Sequence, residues 1–396
     1  MIEALLKPEV QKFIRDHEND DPVALILKAK QFKNIPVQEA LEQIQSRKKA
    51  KTKLPSWYAS NQLIFPPPLS IEQSSSEQAA KYKAGLFKGE SFVDLTGGMG
   101  IDFSFIGASF NNKSYVERQS NLTELAKHNY QCLGIRNVEF LNEDGGQFIK
   151  NTEKRFDLIY LDPARRGEHQ QKVFRVEDCE PNVIALMPFL KEKGKSILIK
   201  MSPLLDIKGA ITDLGGATEV HIVAINNEVK ELLFILDADS SHDPLIKTID
   251  LHDPSINFQF RYSVEEEAIS PFGIVGNYLY EPNVALLKAG AFKSVANAFG
   301  LKKLHPNSHL YTSAIIVADF PGRSFKVQKE IKFNQKELKS SIPEMKTNVT
   351  VRNYPATVEE IRKKTGLKDG GAQYLFATTD LKGRKLILCE KIDGQQ

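Results

Sequence analysis

The chain has 396 residues, 41% hydrophobic and 26% charged, with a formal net charge of +3. That is enough chain for two or three domains and excludes a disordered or fibrous protein. Its uninterrupted apolar runs, such as Val183 to Met187, fall far short of the roughly 20 residues that span a bilayer.

The opening MIEALLKPEV carries acid and Pro where a secretory leader needs a long apolar stretch. Cys132, Cys179 and Cys389 lie far apart, with no CxxC and no Cys/His ligand spacing. Neither a disulfide framework nor a structural metal site is expected, and the composition suits a soluble cytoplasmic protein. The charge is uneven. Residues 28–53 hold eight Lys/Arg against two Glu, and residues 326–396 hold fifteen against nine acids, a net of +6 each, which leaves −9 for the rest. Basic flanks of this kind attract a polyanion such as nucleic acid, and solvated Lys-rich helix faces carry the same signature.

Residues 1–50 read as helices. Val10, Phe13 and Ile14, then Val37, Ala40, Leu41 and Ile44, recur at three-to-four spacing. Asp20-Asp21-Pro22 looks like a cap with Pro at a helix start. The basic run Arg47 to Lys53 leads to Trp57 and Tyr58, then to Pro66-Pro67-Pro68, an extended connector. Residues 69–85 are expected to form one further helix. From Ser91 short apolar segments alternate with helical periodicity: SFVDL, KSYVE, NVEFL, FDLIYLD, KSILIKM, EVHIVAI and ELLFIL. Apolar runs without polar alternation suit strands of a parallel sheet covered on both faces. The alternation predicts an α/β doubly wound domain. Only Asn226-Asn227-Glu228 separates the last two segments, so the seventh strand is expected to be antiparallel.

Beyond residue 240, IKTIDLH, INFQFRY, YTSAIIVADF, FKVQKEIKF, TNVTVRN, GAQYLFATT and KLILCEK read as strands. Asn283 to Ala291, Phe292 to Phe299 and Val358 to Thr365 read as helices, giving small α+β C-terminal domains. The expected division is 1–74 helical, 75–240 α/β, and 241–325 and 326–396 small α+β domains, the second basic.

The chemistry-bearing residues cluster at strand ends. Asp94-Leu95-Thr96-Gly97-Gly98-Met99-Gly100-Ile101-Asp102 follows the first strand and precedes a helix, where glycines let a ligand approach the backbone. Glu117 ends the second strand, 23 residues after Asp94, where an acid grips a ribose diol. Asp144-Gly145 follows the third, and Asp162-Pro163-Ala164-Arg165-Arg166 ends the fourth. Carboxyl ends of consecutive strands are where open α/β sheets bind ligands.

This constellation resembles the class I S-adenosylmethionine-dependent methyltransferases, over about residues 75–240. The resemblance implies a Rossmann-like seven-stranded sheet. It implies S-adenosyl-L-methionine binding at Asp94, Thr96, Gly97, Gly98, Gly100, Asp102, Glu117, Asp144 and Gly145. The glycine turn would cradle the methionine part, Glu117 the ribose and Asp144 the adenine. Thr96 stands where the family's turn usually begins with Gly. Asp162, Pro163 and Arg165 match the position of the segment that presents an oxygen to a target amine, so these three are the expected catalytic residues. Ala164 and Arg165 replace the usual Pro and aromatic residue. The fifth strand ends in Ile199-Lys200-Met201-Ser202-Pro203 without Cys, which argues against a Cys-adduct mechanism.

The whole order resembles the bacterial THUMP-like domain-containing methyltransferases. The resemblance is carried by Tyr280-Glu281-Pro282, His309 to Ser313, Val351 to Pro355, Val358 to Leu367 and Asp369 to Phe376. It implies a ferredoxin-like domain over 241–325, a THUMP-like one over 326–396, and methylation of a nucleobase, with an amine as the acceptor, in tRNA or rRNA. A small-molecule or protein methyltransferase and an inactive RNA-binding module remain open, as does the oligomeric state.

Overall fold

The computed structural model describes residues 2–165, 175–253 and 257–392. They form two units, Met1–Thr218 with Leu233–His242, and Glu219–Leu232 with Asp243–Gln396. Among the described residues no helix is long and apolar enough to cross a membrane, and no group of His, Cys, Asp and Glu could hold a metal ion.

In the first unit the apolar segments become β1 (Gly89–Asp94), β2 (Phe110–Val116), β3 (Val138–Leu141), β4 (Phe156–Leu161) and β5 (Gly194–Met201). They are all parallel, in the order β3-β2-β1-β4-β5. Helices Ile101–Ile106, Ser120–Cys132, Gly145–Asn151, Val183–Lys193 and Ile207–Asp213 follow the five strands in turn. β6 (Glu219–Ile225) and β7 (Glu228–Leu236) are the remaining two segments, with residues 233–236 of β7 in the first unit. Asn226 and Asn227 both have positive φ, the geometry of the tight hairpin turn the Asn pair implied, so β7 runs antiparallel to β6. The parallel strands have the doubly wound, Rossmann-like order that the alternation predicts. Their order reverses at β1, between β2 and β4, and the crevice above that switch point is the ligand position of such folds.

The N-terminal helices pack onto this unit. Val10, Phe13, Ile14, Leu41 and Ile44 share a core with Leu125 of helix Ser120–Cys132. Asn129 of that helix bonds the backbone of Ile64 through both amide atoms, at 3.0 and 2.8 Å. Trp57 is buried, and Tyr58 donates to Glu18 at 2.6 Å beneath the Arg47 guanidinium. Arg47 itself is buried and bonds the carbonyls of Tyr58 and Ser60. These aromatics and this arginine hold the helices together.

Residues 69–85 are two helices, Pro68–Gln73 and Glu77–Ala84. The break arises because the Ser76 hydroxyl caps the second helix, accepting from Ala79 N at 3.2 Å. Pro68 starts the first helix, where its missing N–H costs nothing, so the connector ends at Pro67.

In the second unit β8 (Leu245–Asp250) pairs parallel with β6 and antiparallel with β9 (Phe258–Phe260). A further sheet joins Lys302–Lys303, β11 (Tyr311–Ser313), β10 (Tyr278–Pro282), β12 (Gly322–Ile331), β15 (Gly383–Lys391), β14 (Gln373–Asp380) and β13 (Asn348–Arg352) in that order. Only β13 and β14 pair parallel in it. Helix Val358–Thr365 has the capping box Thr357/Glu360. Two further features differ from the sequence expectations. Only Tyr311–Ser313 of YTSAIIVADF is a strand, and Ile315 beyond it is exposed. Helix Gln335–Ser341 was not anticipated, because it buries only Leu338 and Ser341 and so carries almost no apolar period.

Candidate active site

A cleft of about 380 Å³ opens at the carboxyl ends of β1, β2 and β4, wholly within the first unit. Its lining includes Asp94, Thr96, Gly97, Gly98, Gly100, Asp102, Glu117, Asp144, Gly145 and Asp162. The volume lies in the range of pockets that enclose a small molecule.

The turn after β1 is shaped by what surrounds it. A Cβ on Gly97 would meet the Tyr115 ring at 2.5 Å, and one on Gly100 would meet Tyr130 Oη at 1.9 Å. Gly98 and Gly100 have φ of 55° and 76°. The Tyr115 hydroxyl donates to Gly98 O at 2.5 Å and the Tyr130 hydroxyl to Gly100 O at 2.8 Å. Burial raises the pKa of both phenols, so they remain donors. The opposite wall is as close, since a Cβ on Gly145 would lie 2.0 Å from Leu95 O.

Glu117, 8% exposed, accepts from Gly98 N through Oε2 and from Gln119 N through Oε1, both at 2.8 Å. The carboxylate is thereby locked to the turn. Asp144 is exposed and caps helix Gly145–Asn151, with Oδ1 accepting from Gln147 N at 2.9 Å. Arg118 crosses to Glu180 at 2.6 Å beside it. Thr96 has a definite task. Its hydroxyl donates to Asp94 Oδ1 at 3.1 Å and accepts from Asp162 N at 2.7 Å. A Gly there could not link the ends of β1 and β4.

Asp94 is 2% exposed, and burial pushes it up to about 8, against the hydrogen bonds of Thr96 and with the neighbouring charges of Asp102 and Asp162 adding to the rise. Asp102 is also buried, yet it titrates well below the carboxylate range. Burial alone would raise it, but Lys83 Nζ at 3.1 Å from Oδ1 and Lys200 Nζ at 3.8 Å from Oδ2 outweigh that cost, with Tyr160 and Ser75 donating to Oδ2 at 2.6 and 2.7 Å. Lys200 also contacts Asp162 Oδ2 at 2.5 Å and Ser75 Oγ at 3.2 Å.

The nine residues expected to bind the donor thus line one cleft with Asp162. Pro163 follows Asp162, and Ala164–Arg165 makes a two-residue antiparallel ladder with Cys179–Glu180. The side chain of Arg165, and Arg166 altogether, lie outside the described residues. Sequence reasoning missed Lys83, Lys200, Ser75 and Tyr160. One signal existed, for a lysine inside the otherwise apolar strand KSILIKM is out of place unless a carboxylate answers it.

Residues 278–321 match a ferredoxin-like domain and residues 322–391 a THUMP domain-like family. The chain is 34% identical to a candidate methyltransferase of Porphyromonas gingivalis W83, whose crystal structure it matches with a TM-score of 0.88, over 99% of this chain and 98% of that one. Shorter likenesses join it to uncharacterized RNA methyltransferases of Mycoplasma mobile (30% over 95 residues) and Clostridium tetani (30% over 108 residues). These cover 24% and 26% of this chain and 26% and 24% of those proteins, so the matched part spans about a quarter of each curated relative.

Proposed function

The chain belongs to the family of methyltransferases with a THUMP-like C-terminal domain, and on that premise we propose that it transfers the methyl group of S-adenosylmethionine to a nucleobase of tRNA or rRNA in the cytoplasm. The observation that carries the reading is the glycine turn tied to Glu117 in the same cleft as Asp162. The donor suits this cleft on structural grounds. Three glycines stand where two aromatic residues and a positive φ leave no room for side chains. Gly97, Gly98 and Gly100 would hold the methionine part, Glu117 the ribose diol and Asp144 the adenine amine, with Thr96, Asp94, Asp102 and Gly145 shaping the wall. When bound, the donor supplies an activated methyl group on a sulfonium.

The protein's own task is then mostly placement, since orientation alone can supply about 7–11 kcal/mol of a barrier. Asp162, half-exposed at the cleft mouth with Oδ2 taken by Lys200, would orient the acceptor through Oδ1 and take its proton. Pro163 and Arg165 would border the acceptor. RNA is the favoured acceptor because two relatives, matched over about a quarter of their length, are named RNA methyltransferases and because a THUMP-like segment holds an excess of basic residues. We assign residues 241–325 and 326–396 to presenting that RNA and residues 75–240 to the transfer.

Nucleoside mass spectrometry of total RNA from a deletion strain tests this. One methylated nucleoside is expected to vanish, and to return with the wild-type gene but not with Asp162→Ala. An unchanged set of methylated nucleosides would favour a small-molecule or protein acceptor.

A further inference from the structure

Asp162 is not alone at the acceptor end of the cleft. Lys200 Nζ sits 2.5 Å from its Oδ2 and is itself nearly buried, with 12% of its side chain exposed against 41% for Asp162. The ammonium is therefore the more buried partner, behind a carboxylate that lines the cleft. Lys200 is fixed from several directions: by Asp162 at the end of β4, by Asp102 of helix Ile101–Ile106 at 3.8 Å, and by the Ser75 hydroxyl at 3.2 Å. Lys83 of helix Glu77–Ala84 shares Ser75 and Asp102 with it, Tyr160 of β4 donates to Asp102, and buried Asp94 of β1 lies close enough to feel both Asp102 and Asp162.

That arrangement is ill-matched to an exocyclic amine. Such a nitrogen becomes positive as it attacks, and a fixed ammonium behind its hydrogen-bond partner opposes the change. The same ammonium favours an acceptor that becomes negative. We propose that Lys200 is a positioning residue, acting through Asp162, that adapts the site to an acceptor which gives up a proton and reacts as an anion: a lactam ring N–H of a nucleobase, or a ribose hydroxyl, which shares that chemistry. The acceptor's N–H or O–H bond breaks with its electron pair kept on the acceptor. The proton passes to Asp162 and on to solvent. The retained pair forms the bond to the methyl carbon, whose old bonding pair stays on the departing thioether sulfur.

The inference rests on the RNA methyltransferase reading, and the experiment separates the two. The missing nucleoside in the deletion strain is identified by mass spectrometry, which needs no variant to fold. Methyl on guanine N1 or uracil N3 supports both statements, whereas methyl on guanine N7, which has no proton to give up, overturns the inference. Methyl on a 2′-oxygen supports the anionic acceptor and removes the nucleobase part of the reading. Methyl on an exocyclic amine overturns the inference and leaves the reading standing. No missing nucleoside overturns both. The second arm follows methylation of the deletion strain's RNA by purified full-length protein against pH. In Lys200→Met the rising limb is expected to shift upward by about one pH unit, a loss of about tenfold near neutrality that recovers at alkaline pH. Lys200→Arg, which keeps the charge, should return the limb to its wild-type position. Donor affinity by calorimetry reports whether Lys200→Met folds. A loss equal at every pH, or no rescue by Arg, would overturn the assignment.

Discussion

Around the glycine turn, side chains serve the backbone: Tyr115 and Tyr130 donate to the carbonyls of Gly98 and Gly100, and Glu117 accepts from the amide of Gly98. At the Asp162 corner of the same cleft, side chains answer one another: Lys83 and Asp102, Lys200 and Asp162, with Ser75 between the two ammoniums. The first arrangement shapes a surface against which a ligand's uncharged parts can lie. The second holds charges out of water at a fixed spacing, which is costly unless every member is paired. The contrast teaches that the turn is a matter of shape and the corner a matter of charge. Mutations should therefore fail differently on the two sides.

The largest effect is expected from Lys83→Met. It strips a fully buried ammonium from buried Asp102 and should cost about 3–5 kcal/mol of stability, measured by denaturant unfolding. A cost below about 1 kcal/mol would mean that the charged corner does not hold the fold.

Next is Gly100→Ala, where a left-handed φ and a 1.9 Å approach to Tyr130 Oη must both be relieved. We expect about 2–3 kcal/mol of destabilisation together with loss of donor affinity. A stable protein with unchanged affinity would show that the turn's shape is dispensable.

The last effect joins the two sides and depends on pH. Asp94 has a folded pKa of about 8 against an ordinary 3.8, so between those values the folded state binds a proton the unfolded chain has lost. Its contribution is full below about pH 4 and is lost as pH rises through about 8. Asp94→Asn keeps an oxygen for Thr96 and cannot ionise. It should match the wild type near pH 4 and exceed it by a margin that grows as pH rises to about 8, reaching several kcal/mol by pH 9. Parallel stability curves for the two proteins would contradict the raised pKa.

The two sides also differ in how far they could be read from the residues alone. Gly97, Gly98 and Gly100 sit within four positions of one another, and Glu117 and Asp144 each close a strand whose period is visible, so short-range rules reach them. Lys83 and Lys200 are 117 positions apart and meet only because β5 lies beside β4 and a helix precedes β1. Nothing local in QAAKYKAG distinguishes the buried Lys83 from the exposed Lys81 next to it. Thr96 was read as a departure from the usual turn, whereas its hydroxyl ties β1 to β4, a link that exists only once the strands are neighbours. In the second unit the helix Val358–Thr365 was legible over its whole length, and its capping box is a local four-residue pattern of the same short-range kind. The continuation of Tyr311–Ser313 was not, because Ile315 is apolar without being buried.

The central claim is that the cleft above β1 and β2 receives S-adenosylmethionine with Glu117 on its sugar. Calorimetric titration of the full-length protein with this donor tests it most directly, with Glu117→Ala alongside. We expect a saturable heat for the wild type and at least about tenfold weaker binding for the variant, the loss of about one charge-assisted hydrogen bond. No heat at millimolar donor, or equal affinity for the two proteins, would contradict it.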